Sequence, residues 1–157
     1  MKIAVDACLP QRLFKELPNI LKINNLEIIL IEKYGEGTAD IEWFAKYARE
    51  DGKYFLSNDI NITRNKAELD AYRKHELVGI FMPKNWSSLR SHQQAALIFI
   101  KWMAIMNQFE NARAGEVFIL KYNMSDSQKP FKKLGLSKPI FKIIPIKKRP
   151  EKIWPLF

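Results

Sequence analysis

The sequence predicts an α/β fold in which a parallel sheet of four or five strands is covered by helices on both faces. Short apolar runs alternate along the chain with segments of helical periodicity, and this alternation is typical of parallel β-α-β units. The runs are apolar at successive positions, as expected of strands that are buried on both faces. With 157 residues and a hydrophobic content of 47%, the chain is long enough to bury a core as one domain.

Five apolar runs are predicted as the strands of this sheet. They are KIAV at 2–5, LEIILI at 26–31, KYFLSND at 53–59, LVGIFM at 77–82 and EVFIL at 116–120. A further run, PIFKIIPI at 139–146, is interpreted as an added edge strand whose prolines limit further pairing.

Four segments between these runs have the spacing of helices, at 9–21, 40–52, 65–76 and about 89–111. Pro18 lies inside the first pattern and is expected to end or kink that helix. In the third helix, Asn65 and Glu68 have the N-cap and N3 spacing of a capping box.

The positive charge is concentrated in the second half of the chain. Residues 1–84 contain 13 Lys+Arg and 13 Asp+Glu, whereas residues 85–157 contain 13 and 4, so the second part carries the whole net charge of +9. This asymmetry favours a polyanionic partner such as a nucleic acid, because each neutralised phosphate releases counterions. The alternative is a solvated surface that keeps the protein in solution. We divide the chain into a domain at 1–121 and a basic, Pro/Lys-rich extension at 122–157.

The composition also excludes several classes of protein. Cys8 is the one cysteine of the chain, so no internal disulfide framework can form. The long apolar stretch at 95–106 is interrupted by Lys101 and is too short to span a bilayer. The sequence therefore predicts a cytoplasmic protein without a membrane segment.

Three acidic residues fall where the predicted strands and helices meet one edge of the sheet. Asp6 follows the first strand, Asp59 ends the third run, and Asp40 begins the helix between them. In an open parallel sheet, ligands bind beyond the carboxyl ends of the strands. Carboxylates that converge there repel one another unless a cation is present. Hard oxygen ligands suit Mg²⁺ or Mn²⁺, ions that orient phosphodiesters and lower the pKa of bound water.

Each of these acids also has a purely structural interpretation. Asp40 is equally explained as an N-cap or first-turn residue near the helix dipole. Asp59 is also consistent with a turn residue that bonds its own backbone. Asp6 is harder to explain in this way, because it follows the strand directly and no glycine marks a turn there. Glu42, two positions after Asp40, is a weaker metal-ligand candidate.

Four motifs, in order, resemble those of a PIN-like domain of the VapC-type toxin subgroup. They are the opening IAVDACLP, the helix start GTADIEW, the strand end SND and the helix start RNKAE. The resemblance covers about residues 1–115. It implies a three-layer sandwich with a metal-dependent ribonuclease centre at the carboxyl edge of a parallel sheet.

The resemblance also implies a function and a set of functional residues. Asp6, Asp40 and Asp59 match the acidic ligands of a catalytic centre for Mg²⁺ or Mn²⁺. The fourth acid that is common in this family is left open among Glu42, Glu68 and Asp70. The expected activity is that of an endoribonuclease toxin of a toxin–antitoxin system, with RNA and a protein antitoxin as partners and a homodimer as a further expectation. Candidates for contact with RNA phosphates are Arg64, Asn65 and Lys121.

Two other functions are consistent with the residues. A PIN-like protein without catalysis would bind RNA or a partner through its basic residues. A receiver-like phosphoacceptor domain is also α/β, but it requires an acidic pair after the first strand and a lysine after the last. Lys121 supplies that lysine, whereas Asp6 is single.

Overall fold

The computed structural model describes residues 1–35, 37–122 and 130–136. The strands are β1 (Lys2–Val5), β2 (Glu27–Leu30), β3 (Tyr54–Ser57), β4 (Val78–Phe81), β5 (Val117–Leu120) and β6 (Phe131–Lys133). The helices are α1 (Gln11–Ile20), α2 (Asp40–Arg49), α3 (Lys66–Lys74) and α4 (Ser91–Asn111). Short 3₁₀ turns at Ile31–Tyr34, Ile60–Thr63 and Trp86–Ser88 follow β2, β3 and β4.

The strands form one sheet in the order β2-β1-β3-β4-β5-β6. The first five strands are parallel and β6 is antiparallel to β5. Strand addition changes direction between β1 and β3, because β2 pairs on one side of β1 and β3 to β5 extend the sheet on the other. In open α/β sheets a crevice forms at such a switch point, outside the carboxyl ends of the strands.

Two apolar layers cover the two faces of the sheet. One cluster joins Ile3 and Val5 to α1 and α4, through residues such as Phe14 and Trp102. The other joins Ala4 to α2 and α3, through aromatic residues such as Tyr72. Successive residues of β1 therefore belong to opposite clusters, as the period of a strand requires. The predicted three-layer α/β sandwich is confirmed.

The Tyr47 side chain connects α2 to the two central strands. Its hydroxyl accepts a hydrogen bond from Ala4 N at 3.1 Å and lies 2.7 Å from Tyr54 O and 3.1 Å from Lys2 O. The ring is fully buried and lies against Gly52, where an added Cβ would be 2.3 Å from the ring carbons. These contacts explain why the loop between α2 and β3 requires glycine, and they hold β1 and β3 in register near their amino ends.

Two details extend the sequence prediction. α1 ends at Ile20, two residues after Pro18, so the helix ends close to the proline as expected. β6 was not predicted: it lies within the expected extension at 122–157 and pairs with β5 through Leu120 and Phe131. The expected edge strand at 139–146 lies outside the described residues, and the division of the chain at 121 stays a prediction. Of the helices in the described ranges, none combines the length and apolar character needed to cross a membrane.

Candidate metal centre

The candidate centre lies at the carboxyl ends of β1 and β3, the two strands at the switch point. In the pairing of these strands, Val5 is opposite Leu56, so Asp6 and Ser57 are the next residues on each. The backbone N–H of Asp6 donates to Leu56 O at 3.0 Å, which continues the pairing by one step. Asp6 is therefore fixed against β3 at the point where both strands leave the sheet.

The hydroxyl of Ser57 connects two of the predicted acids. Ser57 is completely buried, and its Oγ donates to Asp6 Oδ2 at 2.5 Å. The same Oγ accepts a hydrogen bond from the backbone N–H of Asp59 at 2.9 Å. Hydrogen bonds to an ionised carboxylate are short and strong, so this contact fixes the orientation of the Asp6 side chain.

Asp40 lies on the other side of Asp6, at the first position of α2. Its Oδ1 accepts a hydrogen bond from the indole Nε1 of Trp43 at 2.7 Å, and it makes no side-chain cap of the helix. Burial is the main cause that raises the pKa of this half-buried carboxyl, with smaller contributions from the charges of Asp6 and Asp59, while the Trp43 hydrogen bond opposes the rise. The three predicted acids are thus close enough for their charges to interact.

Asp59 is the most exposed of the three acids. Its Oδ1 accepts from the backbone N–H of Asn61 at 2.9 Å and caps the 3₁₀ turn at Ile60–Thr63. This is the turn role that the sequence also suggested. The turn role is compatible with a role as metal ligand, because the cap uses only one of the two carboxylate oxygens of Asp59.

Glu68 on α3 is the fourth acid near this group. Partial burial and then the charges of Asp40 and Asp59 raise its pKa, and the hydrogen bond from Asn65 opposes the rise. Asn65 Oδ1 caps the first amides of α3, so the N-cap of the predicted capping box is present. The reciprocal bond is not, because the Asn65 backbone N–H donates to Asn61 O and Glu68 Oε1 instead accepts from Asn65 Nδ2 at 2.7 Å. The other two candidates for the fourth position, Glu42 and Asp70, are exposed. We take Glu68 as the fourth acid of the candidate centre, because the charges of Asp40 and Asp59 act on it.

A cleft of about 290 Å³ opens beside Asp6 and Asp40. Its other lining residues come from the end of β1, the segment after β2 and the start of α2: Ala7, Ile31, Glu32, Gly35, Gly37, Thr38 and Trp43. The carboxylates that line it are those of Asp6, Glu32 and Asp40, and no Lys or Arg stands among its described lining residues. This cleft has the charge of a site for a cation.

A cysteine with no histidine close in the sequence predicts a small buried side chain, but Cys8 is exposed and lies beside the acids. Its Sγ donates to Asp6 Oδ2 at 3.2 Å and accepts from Asn58 N at 3.2 Å. Loss of solvent around the thiol and the charge of Asp6 raise its pKa to about 12. The thiol is therefore protonated at neutral pH and acts as a hydrogen-bond donor to the acid.

The three residues predicted to contact phosphates lie at the same edge of the sheet. Arg64 is exposed directly after the 3₁₀ turn that Asp59 caps, and Lys121 is exposed directly after β5. Asn65 uses its carboxamide to cap α3, as described above. None of these positions is tested as a contact with RNA, and they stay predictions.

The donor set fits a hard divalent cation, although the carboxylates are not yet gathered into a closed site. Within the parts of the chain that the structure describes, no group of three or more Asp, Glu, His or Cys side chains is arranged so that it could already hold a metal ion. The chemistry of the donors is nevertheless uniform, since Asp6, Asp40, Asp59 and Glu68 all supply carboxylate oxygens. Such ligands are typical of Mg²⁺ and Mn²⁺, and Mg²⁺ is commonly bound through only one or two carboxylates plus water.

Two residues that support the acids were underrated from the sequence. From the sequence alone, Ser57 is consistent with support for a metal site or with the end of a strand, and Trp43 is consistent with a packing residue. Trp43 is indeed buried, but its indole also binds Asp40. The spacing of three residues from Asp40 to Trp43 on a helix brings such side chains together and was the available signal.

Comparison with protein families agrees with this architecture. A family described as "PIN like domain" matches residues 1–84, which is more than half of the 157-residue chain. The match includes β1 to β4 and all four acids of the candidate centre. Searches of curated proteins and of solved structures gave no match. The chain belongs to the PIN-like domain family.

Proposed function

We propose that this protein is a divalent-metal-dependent endoribonuclease whose metal ligands come from Asp6, Asp40, Asp59 and Glu68. The observation that carries the proposal is the convergence of these four acids at the switch point of the sheet, with the pKa values of Asp40 and Glu68 raised in part by the other carboxylates. Membership of the PIN-like family, whose members are typically nucleases, supports the same reaction class.

The electrostatics of the acids favour a bound cation. Asp40 and Glu68 both interact unfavourably with Asp59, and no Lys or Arg is among the described residues that line the adjacent cleft. A cation would turn this repulsion into attraction. A bound Mg²⁺ or Mn²⁺ would supply a coordinated water of lowered pKa and positive charge next to the phosphodiester.

The residues around the acids hold them in place for this role. Ser57 donates to Asp6 and leaves its Oδ1 without a bond to Ser57 or Cys8, since both of those groups bind Oδ2. Trp43 binds Asp40 Oδ1 in the same one-sided way. Ligands that are fixed by a hydrogen bond on one oxygen keep the other oxygen oriented, and such supporting bonds are common around metal sites.

RNA is the proposed substrate because the charge of the chain favours a polyanion. The net charge of +9 comes entirely from residues 85–157, whereas the acids of the centre lie in residues 1–84. We extend the proposal, on the motif resemblance to VapC-type toxins, to a cytoplasmic toxin that a protein antitoxin binds, with a homodimer as its assembly.

Cleavage of a structured RNA mixture in Mn²⁺, Mg²⁺ or EDTA tests the proposal. Wild type is compared with Asp6→Asn and Asp59→Asn, and Asp70→Asn serves as a matched control because Asp70 is an exposed acid on α3. We expect metal-dependent cleavage by wild type and Asp70→Asn, and its loss in the other two variants with the fold retained by circular dichroism. Equal cleavage by all four proteins would place the activity elsewhere.

A non-catalytic PIN-like binding protein is the second candidate. The observation in its favour is that the acids, in the described part of the chain, do not already form a group that could hold a metal ion. Calorimetric titration with Mn²⁺ separates the two functions. Heat of binding that is lost in Asp6→Asn favours the nuclease, whereas RNA binding without any Mn²⁺ binding favours the binding protein.

A further inference from the structure

Charge is divided along the carboxyl edge of the sheet. The four acids of the centre lie beyond β1 and β3 and at the starts of α2 and α3. Among the described residues, the charged side chains directly beyond β4 and β5 are cations instead: Lys84 and Arg90 follow β4, and Lys121 follows β5. No Asp or Glu occurs in the sequence from residue 77 to residue 109. Apart from the exposed Arg64 after the turn that Asp59 caps, the described edge is therefore acidic at the switch point and basic on the side of β4 and β5.

The strand register brings the two halves to the same level. Ser57 pairs with Phe81, and Phe81 pairs with Ile119. The residues two positions after these three paired residues are Asp59, Pro83 and Lys121. Asp59 after β3 and Lys121 after β5 are therefore at equivalent positions along the direction of the strands. Neighbouring strands are about 4.8 Å apart, which places the ends of β3 and β5 about 10 Å from each other. A dinucleotide can bridge such a distance.

The loop after β4 is attached to the candidate metal centre. Asn58, between Ser57 and Asp59, donates through Nδ2 to Ser87 Oγ at 3.0 Å. Trp86 in the same loop is buried, and its backbone N–H donates to Pro83 O at 2.8 Å. Lys84 therefore lies on a turn that is anchored on both sides, next to the acids.

The cations of this edge differ from Lys33 and Lys133, each of which is paired with an acid. Lys33 forms an ion pair with Glu50 and Lys133 forms one with Glu116. Within the described ranges, Lys84, Arg90 and Lys121 form no salt bridge. All three are exposed. Their charge is thus available to a solute on this side of the sheet.

An exposed aromatic residue lies at the same end of β5 as Lys121. Tyr122 follows Lys121 directly and is 44% exposed, which is high for a large apolar side chain in this protein. A surface that combines cations with an exposed ring is suited to single-stranded nucleic acid, because the cations contact phosphates and the ring stacks on a base. The positive end of the α4 dipole, which begins at Ser91, adds to the favourable potential.

We propose that single-stranded RNA runs from the acid centre across the ends of β4 and β5, with Lys84, Arg90 and Lys121 contacting the phosphates beside the scissile one and Tyr122 stacking on a base. The inference rests on the proposed function, since it places the scissile phosphate at the acids. It specifies which residues of this chain contact the RNA and the direction in which the RNA leaves the site.

The test is the salt dependence of RNA binding, measured without cleavage. A short fluorescein-labelled single-stranded RNA of mixed sequence is titrated with protein in EDTA over a NaCl series, by fluorescence anisotropy. The variants are Lys84→Ala, Lys121→Ala and Tyr122→Ala. Lys74→Ala is the matched control, because Lys74 is an exposed lysine at the end of α3, on the opposite edge of the sheet.

Each phosphate contact to a single strand contributes about 0.7 to the slope of log K against log salt. We expect Lys84→Ala and Lys121→Ala each to lower the slope by about 0.7, and Lys74→Ala to leave it at the wild-type value. Tyr122→Ala should weaken binding on the order of ten-fold at every salt concentration with an unchanged slope, as loss of stacking predicts.

The inference is overturned if the slope is the same in Lys84→Ala, Lys121→Ala and wild type, if Lys74→Ala lowers it equally, or if the RNA does not bind. These outcomes are independent of the nuclease test. Wild-type cleavage in Mn²⁺ with unchanged slopes would refute the RNA path and keep the nuclease. Reduced slopes without any cleavage would keep the path and refute the nuclease.

Discussion

Replacing Ser57 by alanine removes one buried oxygen from the candidate metal centre. The hydroxyl lies 2.5 Å from Asp6 Oδ2, accepts from Asp59 N at 2.9 Å and is 3.8 Å from Cys8 Sγ. Alanine keeps the backbone of β3 and fills nearly the same space. The substitution therefore isolates the effect of the hydroxyl on the orientation of Asp6 and on the turn that begins at Asp59.

The expected loss is larger for metal binding than for folding. A hydrogen bond to a charged group contributes about 1.5–3 kcal/mol, but Asp6 is only partly buried and water can replace the lost donor. We therefore expect the free energy of unfolding to fall by about 1–2 kcal/mol. Removing a hydrogen bond that orients a metal ligand typically lowers affinity by about 10–100-fold, because the ligand can then rotate away.

Calorimetric titration with Mn²⁺ measures this effect, and urea unfolding in EDTA measures the stability. Ser87→Ala is the matched control, because Ser87 is an exposed serine at the same edge that accepts a hydrogen bond from Asn58. We expect the control to bind Mn²⁺ like wild type. Equal Mn²⁺ affinity in folded Ser57→Ala, Ser87→Ala and wild type would refute the orienting role of Ser57.

Three further substitutions test other parts of the structure. Glu68→Gln keeps an acceptor for Asn65, so we expect a free energy of unfolding within about 0.5 kcal/mol of wild type. The variant should lose Mn²⁺ affinity by at least about ten-fold. Unchanged Mn²⁺ affinity by calorimetry would exclude Glu68 as a ligand. Asp40→Asn also keeps the acceptor for Trp43. Folding raises the pKa of Asp40 above its ordinary value of 3.8, so the protonated carboxyl favours the folded state. This contribution to the free energy of unfolding is full below the unfolded-state pKa and is lost as the pH rises through the folded-state pKa. The stability of metal-free Asp40→Asn relative to wild type should therefore increase from acidic to neutral pH in urea unfolding, and a difference independent of pH would contradict the cause of the shift. Tyr47→Phe leaves the Ala4 amide without its hydroxyl partner and should lower the free energy of unfolding by about 1–3 kcal/mol, whereas a wild-type unfolding curve would show that the amide finds another partner.

The fold could be predicted because each strand and helix carries its own local signal. The five predicted runs contain β1 to β5, and the four predicted helices overlap α1 to α4. β6 could not be found in this way, since Phe131–Lys133 has two lysines in three residues and no apolar period. Its pairing depends on tertiary contacts: Phe131 packs near Phe118, and Lys133 forms an ion pair with Glu116.

The acids could be predicted in part, because the carboxyl ends of parallel strands face one edge. That rule selects Asp6 and Asp59 directly, and Asp40 through the return of α2 to the same edge. It could not distinguish Glu68 from Glu42 and Asp70. Glu68 has a local explanation in its hydrogen bond with the N-cap residue Asn65, and its partial burial and the nearby charges of Asp40 and Asp59 are what make it a candidate for the centre.

The strand order explains how an asymmetry along the chain becomes an asymmetry across the molecule. The sheet grows from β1 in two directions, with β2 on one side and β3, β4 and β5 in succession on the other. Among the described residues, those of β4, β5 and β6 therefore lie progressively farther from the switch point, where Asp6 and Asp59 follow their strands. Of the described cations after residue 84, Arg90 and Lys121 lie beyond the ends of β4 and β5, and Lys132 and Lys133 belong to β6. A polyanion held by Arg90 and Lys121, as we propose, would reach the acids from the side of β4 and β5, so the order of the strands would set its direction across the site.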